Sequence, residues 1–230
     1  MEYAASAPPV AATDEHAFLT KVFGWMFLGL GITGGVAAAI GSNDALLTDI
    51  SESPWLMIGL VVLQLVLVIT ISAAINRLSP ATALALFFLY AASVGVLFAF
   101  IFELYTTQSI FTTFLVTSGM FGGVAIWGWV TKRDLSTMGT VLLMALIGLI
   151  LATIVNVFIA NETLYWITTY AGVAIFAGLT AYDMQKIKGY AQASPGGEAE
   201  QRASILGALA LYLDFINLFL YLLRIFGQQR

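Results

Sequence analysis

The sequence contains no cysteine and a single histidine, His16. Those two scarcities remove disulfides, thiolate metal sites and cysteine nucleophiles, and also a hydrolytic site built on Ser–His or on several His ligands. Charge is scarce too: Asp, Glu, Lys and Arg make up 10% of the 230 residues, while 60% are hydrophobic. A soluble domain is typically about a quarter charged, so this chain lacks the groups to cover a surface facing water. Its net charge of −4 argues against nucleic acid as a partner. An integral membrane protein remains, with the lipid bilayer as its first partner.

Runs of about 20 apolar residues are long enough to span a bilayer. Seven are expected here, at 18–41, 54–76, 80–103, 109–130, 138–160, 164–187 and 204–226. Residues 1–17 carry Glu2, Asp14 and Glu15 and no apolar centre, unlike a signal peptide, and are expected to form a disordered cytoplasmic tail. No segment between spans is long enough to fold alone, so 18–230 is expected to be one all-α domain. The stretch KGYAQASPGGEAEQRAS, before the last span, reads as a flexible loop.

The loops sort by charge. Those after the first, third and fifth spans carry Asp44, Asp49, Glu52, Glu103 and Glu162, with no Lys or Arg. Lys21, Arg77, Lys132, Arg133, Lys186, Lys188 and Arg202 fall on the other side. By the positive-inside rule the amino terminus is cytoplasmic, and seven spans then put the carboxyl terminus outside. Arg224 and Arg230 run against that assignment, and a last segment that dips in and returns would accommodate them.

Two motifs have bland explanations. GLGITG, with Gly29, Gly31 and Gly34, matches a dinucleotide fingerprint, but that fingerprint needs a strand before it and a helix after it. Inside a span, Gly31 and Gly35, like Gly119 and Gly123, are expected to be small-xxx-small seams where helices approach closely. Asn161-Glu162-Thr163 is formally a glycosylation sequon, in a loop too short and too near the membrane for an enzyme to reach.

The ionisable groups within the spans carry the functional signal. Gly207, Ala210, Asp214, Asn217 and Tyr221 recur at spacings of three and four, one polar stripe on an otherwise apolar helix. Such a stripe faces a bundle interior or a watery cavity. Asp214 lies about ten residues in from Ser204, or ~15 Å, close to mid-bilayer. Asp183 is nearer the cytoplasmic end of the sixth span, ~6–8 Å in, where pairing with Lys186 one turn on is the simple alternative. Arg77 closes the second span on the same side, where it either serves the site or merely snorkels. Gln64, on that span, is expected near the depth of Asp214.

Three passages, VTKRDLSTMG, AGLTAYDMQKIK and ILGALALYLDFINLFLYLLRIFG, resemble the Bax inhibitor-1 family, also called the transmembrane Bax inhibitor motif or lifeguard family, in its bacterial branch. The resemblance implies a polytopic all-α fold in which a central seventh helix is wrapped by the other six in two three-helix layers. It implies that Asp183 and Asp214 form a proton-sharing pair, and that Arg77 bonds to Asp183 and latches a pore. Some members carry a glutamate on the second helix; Gln64 is the nearest polar residue here. Members are described as pH-sensitive calcium leak proteins, and some bacterial relatives modulate a membrane-bound quality-control protease. The expected function is therefore a calcium-permeable leak channel of the bacterial inner membrane, with calcium and protons as partners, Asn217 and Tyr221 as supporting groups and calcium passing near the two aspartates.

Elementary electrostatics supports a switch: two carboxylates in one poorly solvated site cannot both ionise easily and titrate as a pair. No catalytic residue, cofactor or resident metal is expected. An aspartyl protease would need local sequence context that these aspartates lack, and a proton-coupled transporter often shows inverted repeats, which are not evident. A regulator of another membrane complex, docking through the tail and the 188–204 loop, is the remaining alternative.

Overall fold

A computed structural model of the chain describes residues 12–193 and 196–230. Among these described residues eight helices run α1 (Ala12–Gly41), α2 (Asp44–Ser51), α3 (Pro54–Ala74), α4 (Pro80–Leu104), α5 (Thr107–Val130), α6 (Ser136–Ile159), α7 (Glu162–Ala193) and α8 (Gly197–Phe226). All but α2 are long and apolar enough to cross a membrane. The seven expected spans are α1 and α3 to α8. The chain is an integral membrane protein with a wholly helical frame; Tyr105 and Gln229 form one isolated antiparallel bridge.

Local chemistry sets the ends. Asn43 Oδ1 accepts the Leu46 N–H at 3.2 Å to start α2, and Ser79 Oγ accepts the Thr82 N–H at 3.1 Å to start α4 behind Pro80. Asn161 Oδ1 accepts the Leu164 N–H at 2.8 Å, so the sequon asparagine caps the start of α7. Asp134 Oδ1 accepts both the backbone N–H and the hydroxyl of Ser136, at 2.9 and 2.6 Å, which holds its carboxyl below the usual range.

Two expectations about the connections change. Helix α1 begins at Ala12, so part of the expected tail is helical; residues 1–11 lie outside the described residues. The expected 188–204 loop is mostly helix, because α7 continues to Ala193 and α8 starts at Gly197. Ala, Glu, Gln and Arg dominate that stretch and are good helix formers. Only the turn breaks the run, with Gly196 and Gly197 at φ +81° and +65°.

Helix α8 is the innermost span, with 67% of its apolar window buried, against 6% for α6 and 11% for α3. It packs mainly on α1, α4, α5 and α7, whereas α3 leans on α4 and α6 on α7. Two helix sets, α1–α3–α4 and α5–α6–α7, therefore meet largely through α8. Its ends sit on opposite faces of the bundle. Near its start, Lys21 Nζ of α1 lies 2.6 Å from Glu200 Oε1, and Gln192 Nε2 donates to Glu15 Oε1 at 3.0 Å. At its far end the Thr106 N–H donates to the Gln228 carbonyl at 3.0 Å, and the Arg230 N–H to the Leu104 carbonyl at 3.1 Å. Helix α8 thus runs from one face of the bundle to the other without turning back. Arg224, the misplaced charge, lies over the rings of Tyr165 and Tyr221 at 5.6 and 5.1 Å.

The close helix approaches are not where the glycine spacing placed them. Gly31, Gly35, Gly119 and Gly123 have open space where a Cβ would stand. Close approach occurs instead at Gly128, which meets the Ala181 backbone of α7, and at Gly139, which meets the Tyr182 ring. Small residues on the lipid-facing side satisfy the same spacing as those at a seam, so spacing alone does not pick the face. At the centre, Thr33 Oγ1 and the Tyr212 hydroxyl lie 2.6 Å apart, and Thr33 also donates to the Ala91 carbonyl at 2.9 Å, tying α1, α4 and α8.

Candidate functional site

A cavity of about 780 Å³ lies between α3 and α6, floored by α7 and α8, with Tyr90 of α4 also on its wall. The whole stripe Gly207, Ala210, Asp214, Asn217 and Tyr221 lines it, as do Asp183 and Gln64. The spacing argument thus placed five polar or small residues of α8 on the cavity, because only one face of α8 can turn toward a gap while the rest packs.

Asp214 is 3% exposed and its Oδ2 has no hydrogen-bond partner. Thr180, close by on α7, spends its hydroxyl on the Phe176 carbonyl at 2.8 Å. Asp183 is half-buried, and the two carboxylates are near enough for each charge to bear on the other. Asn217 Nδ2 donates to the Leu213 carbonyl at 2.8 Å, which leaves its Oδ1 turned to account as an acceptor. Gln64 Nε2 is a second buried polar atom without a partner. A desolvated acid with no partner is costly, so the arrangement favours one that exchanges protons or meets a cation.

Neither cation expected beside Asp183 forms an ion pair with it. Among the described residues the ion pairs are Lys21–Glu200 and Arg202–Glu198. Arg77 lies exposed in the turn after α3, outside the cavity lining. Lys186 does line the cavity, one turn from Asp183, but its ammonium sits 5.9 Å over the Tyr190 ring. Tyr182 and Tyr190, four residues to either side of Lys186 on α7, also line the cavity and were not singled out from the sequence, although the same spacing rule applied to α7 would have found them.

The motif VTKRDLSTMG becomes a clamp. Gln185 Oε1 accepts the Leu135 N–H at 2.8 Å and its Nε2 donates to the Arg133 carbonyl at 2.8 Å. Lys188 Nζ donates to the Trp129 carbonyl at 2.9 Å and stands 5.1 Å over that ring. The α5–α6 turn is thereby fastened to the segment of α7 that carries Asp183. Replacing Gln185 with Ala is expected to cost about 1 kcal/mol and to speed amide exchange at Leu135. Hydrogen-exchange mass spectrometry on the detergent-solubilised protein checks this, and unchanged exchange across 131–136 would refute it.

The comparisons with known proteins agree with this frame. The family model described as "Inhibitor of apoptosis-promoting Bax1" matches residues 15–230. The inner membrane protein YbhL of Escherichia coli K12 is 47% identical over 217 residues, covering 94% of this chain and 93% of its own. An uncharacterized protein of Borreliella burgdorferi is 43% identical over 217 residues, covering 94% of each chain. An uncharacterized membrane protein of Streptococcus pyogenes serotype M3 is 35% identical over 216 residues, covering 93% of each. With a matching model across nearly all of its length and relatives aligned end to end, the chain belongs to the Bax inhibitor-1 family.

Proposed function

We propose that this protein is a pH-gated, calcium-permeable leak channel of a bacterial inner membrane, in which Asp183 and Asp214 sense protons. The observation that carries the reading is a single cavity within the spans that holds both carboxylates, one of them buried with an unpartnered oxygen. The name of the E. coli relative supports the membrane assignment. Lys21, Arg77, Lys132, Arg133, Lys186, Lys188 and Arg202 all fall at the span ends on the side where α1 starts, which supports a cytoplasmic amino terminus.

The cavity supplies two carboxylates where calcium takes six to eight oxygen ligands, so a passing ion keeps much of its water. Weak, partly hydrated binding suits passage better than storage. When the pair holds protons its attraction for cationic side chains weakens; when it loses them, that attraction returns. The Arg77 latch belongs to the second condition: α3 contacts the bundle mainly through α4, and its last turn has to move for the guanidinium to reach Asp183.

The test is calcium entry into liposomes carrying the purified protein, at mildly acidic and mildly alkaline pH. Wild type is expected to leak faster in acid, and Asp183→Asn with Asp214→Asn to lose that response. No flux above empty liposomes at either pH defeats the channel reading and favours a regulator of another membrane complex. In the same assay Arg77→Ala is expected to leak at both pH values. A wild-type pH response from that variant removes the latch and leaves the pair.

A further inference from the structure

The geometry points to a second use of the cavity: it binds a single-chain amphiphile bearing a primary ammonium, which enters sideways from the bilayer. The reading is separate from the leak, because it concerns what the cavity holds and needs no ion to pass.

The entrance carries the first half of the argument. Helices α3 and α6 have no substantial packing against one another, and each is held by one neighbouring span. Leu65 of α3 and Leu143 and Ile150 of α6 line the cavity and are 59%, 49% and 51% exposed, and their neighbours Val66, Ile147 and Leu151, outside the lining, are exposed too. The slot between them is thus both cavity wall and lipid-facing surface. Its apolar edges offer nothing to a hydrated ion, which would shed water there without compensation. An alkyl chain already dissolved in the bilayer meets no such barrier.

The floor carries the second half. Beyond the apolar slot stand Asp214, 3% exposed with Oδ2 unpartnered, and Asn217, which spends one of its two amide N–H groups on its own helix and keeps its Oδ1 as an acceptor. Both present acceptors. Asp214 has no ion-pair partner among the described residues, and Lys186, on the wall of the same cavity, stands over the Tyr190 ring instead. A group with three N–H donors and one positive charge complements Asp214 and Asn217 together, and its chain fills the slot. Ethanolamine phospholipids carry the same ammonium, but reaching mid-helix Asp214 would drag their phosphate into an apolar cavity. That cost favours a single-chain amine.

Radiolabelled dodecylamine, applied to the full-length protein in phosphatidylcholine nanodiscs and to empty nanodiscs, tests this. Saturable binding of one amine per chain is expected, insensitive to an equal concentration of dodecanol. Asp214→Asn is expected to weaken it about tenfold or more, through loss of a desolvated charge partner. Leu143→Trp, which closes the slot and leaves both carboxylates in place, is expected to abolish it, so the proposal stays testable if Asp214→Asn fails to fold. Absence of saturable binding, equal displacement by dodecanol, or binding unchanged in both variants overturns the proposal. Displacement by phosphatidylethanolamine added to the nanodisc overturns the single-chain source and assigns the site to a bilayer lipid.

Discussion

Gly128→Leu is expected to leave little folded protein. A Cβ at Gly128 runs into the carbonyl oxygen and Cα of Ala181, which are backbone atoms of α7 and cannot rotate aside. Helices α5 and α7 would have to separate, and α7 carries Asp183, Gln185 and the cavity floor. Overpacking a tight core typically costs about 1–3 kcal/mol, and a clash with backbone belongs at or above the upper end. The loss is read as a fall in the monodisperse fraction on size-exclusion chromatography and in thermal midpoint in detergent. Gly119→Ala, on the same helix with open space at its Cβ, is expected to leave both unchanged or slightly improved. Equal losses from the two variants would show that the Gly128 seam is not a tight contact.

Asp214→Leu is expected to do the opposite to stability. The carboxyl is almost fully buried, its Oδ2 has no partner, and apolar Leu213, Leu209 and Leu206 share its cavity. Exchanging an unpaired buried polar group for a well-packed apolar one of similar size is expected to stabilise by about 1–3 kcal/mol. A denaturation midpoint in mixed micelles measures it. The same variant is expected to lose the acid-stimulated leak, so stability and activity should move apart, as they do where a site is held in a costly state for its task. A less stable Asp214→Leu protein would mean that the acid is well solvated and that its burial is no reservoir for function.

The two residues differ in how far the sequence revealed them. Asp214 was legible because it sits on a stripe with helical period in a helix otherwise fully apolar, and only the membrane environment makes that pattern costly enough to demand a purpose. The number and order of spans were legible for a related reason: about 20 apolar residues in a row have few other fates. Gly128 was not legible. Its role depends on which residue of α7 lies opposite, and Gly31, Gly35, Gly119 and Gly123 have the better spacing but face open space. Arg77 shows the same limit from the electrostatic side. Sequence puts it at the right end of α3, whereas its distance from Asp183 depends on how one turn of chain is wound. The helical 188–193 and 197–204 segments were hidden because Pro-Gly-Gly reads as loop over its whole neighbourhood in sequence, whereas α8 starts already at Gly197.

Helix α8 also bears on how the molecule is assembled. Chains are made from the amino end, so α8 is the last of these eight helices to leave the ribosome, yet it is the one on which α1, α4, α5 and α7 converge. Until it arrives, the helix on which both sets pack is missing. A ribosome stalled just short of Gly197 would hold a chain with every other span made and no keel.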